Sequence, residues 1–129
     1  MKYLCLIYLD GKKLAALPEA DMGALNARHL ELNESLVASG HFIEAEALEA
    51  PETAAFLHVR NGKTSVVDGP FAETKEQLAG FYFIEARDLN EAIQVASRFP
   101  SAPMGTVEVR PCRDLVVDGV AHKASRISR

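Results

Sequence analysis

Residues 68–84 read DGPFAETKEQLAGFYFI, from Asp68 to Ile84. Asp-Gly followed by Pro70 is turn chemistry. Gly69 tolerates positive φ, Pro70 fixes its own φ near about −65°, and the proline keeps Gly69 out of the helical region. Phe71 to Ala79 is mostly polar and is expected to be a loop. Gly80 to Ala86 then alternates as a strand, with Phe81 and Phe83 on one face and Tyr82 and Ile84 on the other. A strand apolar on both faces is expected to be covered on both. A two-sided strand behind a rigid turn sets the class: a sheet with layers on each side.

The segments around it agree. Upstream, Thr53–Arg60 and Lys63–Asp68 flank Asn61-Gly62, a strong short hairpin signal. A two-residue loop sets Arg60 opposite Lys63, Val59 opposite Thr64, Leu57 opposite Val66 and Ala55 opposite Asp68. Tyr3–Leu9 (YLCLIYL) is a strand apolar on both faces, closed by Asp10-Gly11. Pro18–Ser39 is the main helix, with Pro18, Glu19 and Asp21 at its start and Gly40 as an αL cap. Its stripe is Met22, Leu25, His29, Leu32 and Leu36. Phe42–Leu48 reads as a strand, although its Ala and Glu content also suits a helix; Pro51 cuts it short. Asp88 or Asn90 caps a second helix over Leu89–Arg98, with the stripe Leu89, Ala92, Ile93, Ala96 and Phe99. Thr106–Arg110 is the last core strand, with Val107 and Val109 inward. Asp118-Gly119 turns a small terminal hairpin, and His122–Arg129 is expected to fray.

The order is β-α-β, a hairpin, then β-α-β. Without the hairpin this is an α+β, ferredoxin-like βαββαβ pattern. Residues 1–112 form the domain, and 113–129 a partly flexible C-terminal extension. Two helices cover only one face of such a sheet, so the other needs a partner. A homodimer with facing sheets, the dimeric α+β barrel type, is the expected arrangement.

Composition narrows the function classes. A net charge of −4 argues against nucleic-acid binding, whose face must neutralise phosphates. The apolar run at Tyr3–Leu9 is too short for a signal peptide or membrane span, so a cytoplasmic location is expected. Cys5 and Cys112 are too few for a disulfide framework. His41 and His58 lack metal spacing, and the chain has no Gly-rich phosphate loop, so neither metal nor cofactor is expected.

Chemistry then falls to a few side chains. His29 sits in the middle of a buried stripe. It is either a core histidine bonded to a backbone carbonyl or a pocket histidine whose charge a neighbour sets. Tyr8, at the end of the first strand, offers a hydroxyl to a ligand or a core ring with a wet tip. Phe71, an aromatic in a polar loop, closes over a ligand or anchors a dimer.

The string DGPFAETKEQLAGFYFI resembles the signature of the YCII-related family, in its DGPF branch. The order of elements from Met1 to about Pro111 is similar as well. His29-Leu30 with Leu32 and Gly40 resembles the first-helix His motif of YCII-type enzymes. The resemblance implies a dimeric α+β fold and a His that works with an Asp; a related member eliminates chloride from a chlorinated hydroquinone. Where that family has Asp-Pro after the second helix, this chain has Phe99-Pro100. Asp68, at the end of the hairpin's apolar face, is either a chain-end turn residue or the carboxylate that orients His29 instead. The expected function is a small-molecule-binding dimer with His29 as general base in proton transfer, isomerisation or elimination on a cyclic or aromatic substrate. The branch also resembles domains associated with extracytoplasmic-function sigma factors, which implies a regulatory protein partner and a non-catalytic role as the alternative.

Overall fold

The computed structural model describes residues 1–124. Strand β1 (Lys2–Asp10) runs one residue further each way than its apolar core. Asp10 ends it by turning its carboxylate onto the backbone N–H groups of Lys12 and Lys13, at 2.9 and 3.4 Å. That cap starts a short helix, α1 (Gly11–Ala15), where the sequence suggested only a turn. Helix α2 (Glu19–Ala38) follows, then β2 (Phe42–Ala47). A Schellman motif closes α2: Gly40 N–H donates to Val37 C=O and His41 N–H to Leu36 C=O. Gly40, at φ +81°, takes the left-handed conformation this requires.

Strands β3 (Ala55–Arg60) and β4 (Lys63–Asp68) pair in the register set by Asn61-Gly62, from Arg60–Lys63 to Ala55–Asp68. Asn61 and Gly62 both have positive φ, as a primed hairpin turn demands. A 3-10 turn at Pro51–Thr53 occupies the residues just before β3. The carbonyl of Pro51 lies 2.5 Å from where a Cβ on Gly69 would stand, so only glycine fits there. Gly69 N–H also donates to Ala54 C=O at 2.7 Å, and the Gly69–Pro70 bond is cis.

Strand β5 (Glu76–Glu85) begins four residues earlier than the polar pattern suggested. The cause is β1, which continues to Asp10 opposite Glu76 and satisfies the extra backbone groups through a bulge at Ile7/Tyr8. Helix α3 (Leu89–Ala96) is capped by Asp88, whose carboxylate accepts from Glu91 N–H. It buries Ala92, Val95 and Ala96, while Leu89 and Ile93 stay exposed. The expected stripe was therefore rotated: Ala92, Val95, Ala96 and Phe99 make the buried i, i+3, i+4, i+7 set. Strand β6 (Gly105–Pro111) completes the main sheet, and β7 (Leu115–Val117) and β8 (Val120–His122) form the terminal hairpin at Asp118-Gly119. His122, expected to fray, belongs to β8; residues 125–129 of that stretch lie outside the described residues.

The main sheet has the order β2-β5-β1-β6, antiparallel throughout. In sequence terms this is the ferredoxin-like arrangement, with the β3–β4 hairpin inserted between its second and third strands. One face carries α2 and α3. There Tyr3, Cys5, Ile7, Leu9, Tyr82 and Ile84 pack against Leu32, Leu36, Ala92, Val95, Ala96 and Phe99. Fully burying a side chain such as Leu36 or Ile84 stabilises by about 1.5–3 kcal/mol. The other face presents Leu4, Leu6, Tyr8, Phe81 and Phe83, each only half-buried in a single chain. The expected two-sided cover is thus present on one side. No helix among the described residues is long and apolar enough to cross a membrane.

Candidate functional site

His29 and Asn33 lie four residues apart on α2 and so share one helix face. Opposite them, alternation along β5 turns Tyr82 toward the helices, and the chain leaving α3 brings Ser101 to the same place. The four side chains form one network. His29 Nδ1 lies 2.8 Å from the Tyr82 hydroxyl, and His29 Nε2 lies 3.1 Å from Ser101 Oγ. The Tyr82 hydroxyl donates to Asn33 Oδ1 at 2.6 Å.

With the Asn33 amide oxygen facing Tyr82, proton counting assigns the tautomer. A phenol has one hydrogen, and Tyr82 gives it to Asn33. Its oxygen is then an acceptor, so His29 Nδ1 carries the ring proton. Nε2 is left as the basic nitrogen and accepts from Ser101 Oγ–H. Burial lowers the pKa of His29 from its ordinary 6.5, and the guanidinium of Arg28 pushes the same way. The imidazole is therefore neutral at pH 7. Burial also pushes the Tyr82 phenol up to about 12, so it stays protonated.

Aromatic packing holds the geometry. Phe99 stacks on Tyr82, with ring centroids 4.2 Å apart and planes 20° from parallel, and the His29 ring lies 5.9 Å away at 28°. Phe42 meets Tyr82 edge-on at 6.5 Å. Phe99, the residue standing where the related motif has an aspartate, is thus a stacking wall. Ser101, two residues on, supplies the polar partner.

The structure does not bring the other expected residues to His29. Asp68 is exposed at the end of β4, opposite Ala55, and no hydrogen bond or ion pair joins it to His29 among the described residues. Both ring nitrogens are instead held by hydroxyls. Tyr8 points to the opposite face of the sheet and donates to Glu108 at 3.3 Å. Burial is the first cause of its raised pKa, with Glu108 next. Phe71 stacks on Phe56 of the hairpin, centroids 5.1 Å apart, and leans toward His58 at 6.3 Å. A cleft of about 300 Å³ lies elsewhere too, lined by Lys2, Phe83, Cys112 and Arg113 among others. Among the described residues no group of three or more His, Cys, Asp or Glu is placed to hold a metal.

Three site residues went unread in the sequence: Asn33, Tyr82 and Ser101. Two left a signal. Asn33 is at i+4 from His29, and Tyr82 has the parity of the helix-covered face. Ser101 depends on how the chain turns after Phe99-Pro100, which spacing does not reveal.

The chain is 35% identical over 113 residues to the uncharacterized protein R00369 of Rhizobium meliloti (strain 1021), covering 86% of this chain and 91% of that protein. The YCII-related domain matches residues 1–116, which takes in the whole four-stranded sheet, both long helices and the hairpin. The chain belongs to the YCII-related family.

Proposed function

We propose that the protein is a small-molecule-binding homodimer in which His29 is the general base. One observation carries this reading. Both His29 ring nitrogens are held by hydroxyls, Nδ1 2.8 Å from Tyr82 and Nε2 3.1 Å from Ser101, and burial lowers the pKa of the ring, an arrangement that leaves Nε2 as the basic nitrogen. A substrate that displaces the Ser101 hydroxyl meets a nitrogen ready to take a proton. The proton leaves a substrate carbon or hydroxyl and lands on Nε2. The imidazolium is stabilised through Nδ1–H by Tyr82, which Asn33 orients. Returning the proton to a second substrate atom completes an isomerisation; loss of a leaving group completes an elimination. Asp68 has no part in this scheme.

The half-buried outer face supports the homodimer. Leu4, Leu6, Phe81 and Phe83 lie side by side across β1 and β5, an apolar patch suited to a second copy. A non-catalytic module of sigma-factor-linked regulation is the second reading. It is favoured by the fact that both His29 nitrogens are already bonded within the chain.

A thermal-shift screen with phenolic, lactone and small cyclic compounds separates the two. A ligand at ~100 times its Kd adds about 2.7 kcal/mol of stability. The catalytic reading expects a hit in the wild type that His29→Ala loses and that is turned over. No hit, or a hit indifferent to His29, overturns it.

A further inference from the structure

The β3–β4 hairpin carries an apolar face that stays exposed among the described residues. Its Phe56 and His58 side is occupied by Phe71. The opposite side presents Leu57, Val59 and Val66, which are 62%, 53% and 62% exposed. A lone two-stranded hairpin is marginal in water, and a bare apolar strip makes it more so.

Charge points to what covers it. Residues 53–67 contain no acid, although the chain as a whole carries −4. At the tip Arg60 and Lys63 stand directly opposite each other, a like-charge pair that costs stability unless an anion sits near. Residues 42–52 are the complement. They hold Glu44, Glu46, Glu49 and Glu52, all exposed, and no lysine or arginine. Their strand β2 is an edge of the main sheet, and Leu48 beside them is 44% exposed. None of these six charged side chains enters an ion pair among the described residues.

We infer that the hairpin is an arm that grips a second copy of this chain, its basic tip set on the acidic β2 edge of that copy. About a two-fold axis the contact is made twice, and two copies then close on themselves. It deepens the homodimer reading and rests on it, but uses residues separate from the sheet face.

Charge reversal tests it. One variant carries Arg60→Glu with Lys63→Glu, the other Glu44→Lys with Glu46→Lys. Sedimentation equilibrium should show each variant alone self-associating about tenfold or more weaker than wild type, since like charges now face each other. An equimolar mixture should recover wild-type affinity, because both arms then meet an edge of opposite sign. Neutral Arg60→Gln with Lys63→Gln should weaken association less and flatten its salt dependence; it also serves if a reversed variant misfolds. Variants that associate like wild type overturn the inference, and so does a mixture no tighter than either variant, which would assign the tip to a different anionic partner. Phe81→Asp keeps the two dimer claims apart. If it weakens association while the charge variants do not, the arm fails and the sheet face stands; the reverse pattern fails the sheet face. A wild type that stays monomeric fails both.

Discussion

Tyr82 and Phe83 are neighbours in β5 with similar rings and opposite surroundings. Tyr82, 4% exposed, lies under two helices, stacked on Phe99 and hydrogen-bonded to His29 and Asn33. Phe83 is half-buried on the other face, beside Leu4 and with the Lys2 ammonium 5.8 Å from its ring centroid. One face of the sheet is finished within the chain and the other is not. The lesson is a division of labour: the covered face holds a hydrogen-bonded polar network, and the open face leaves apolar side chains half-buried.

The sharpest way to break this contrast is truncation on either side. Tyr82→Ala should cost about 3–5 kcal/mol in denaturant unfolding, the range for emptying an aromatic from a packed core. Phe83→Ala should cost clearly less at dilutions where the chain is monomeric. Equal losses would mean the two faces are equally packed.

Tyr82→Phe sharpens the comparison by keeping the ring and removing the hydroxyl. His29 Nδ1–H and Asn33 then lose their shared partner, at an expected cost of about 1–3 kcal/mol. A loss near zero would mean that water replaces the hydroxyl and the network is not closed.

The same contrast sets a pH dependence. The folded pKa of His29 lies below its unfolded value of 6.5. As pH falls through that value the unfolded chain takes up a proton that the folded chain resists. Stability from this group is therefore present above pH 6.5 and is lost as pH drops toward the lower folded pKa. Unfolding midpoints of wild type and His29→Gln should converge on acidification. Parallel curves would remove His29 from the acid limb.

The smallest expected effect is at Asp68. Asp68→Asn should change stability by less than about 0.5 kcal/mol and leave the His29 titration unmoved, since the carboxylate is exposed and apart from the ring. A shift in that titration would restore the pairing expected from the sequence.

That expectation shows where sequence reading stops. Strand and helix identities came from alternation, the three-four stripe and the Asn61-Gly62 turn, all of which are local signals. The hairpin register followed from loop length alone. Local signals also identified His29 as the unusual member of an apolar stripe. They did not give its partners, because Tyr82 and Ser101 are 53 and 72 residues away along the chain. Which polar groups meet across layers depends on how the layers pack, and no spacing encodes that. Asp68 looked plausible because it ends an apolar face, but that face is the hairpin's own, not the wall of the His29 site. Helix α1 escaped notice because Asp10 both closes a strand and caps a helix, and the sequence suggested only the first role.

The account turns on the state of one imidazole, and long-range ¹H–¹⁵N spectra of the His29 ring between about pH 5 and 8 read it directly. The prediction is a neutral ring protonated at Nδ1, with Nε2 unprotonated, titrating below 6.5. A ring protonated at Nε2, or one that titrates at or above 6.5, would contradict it.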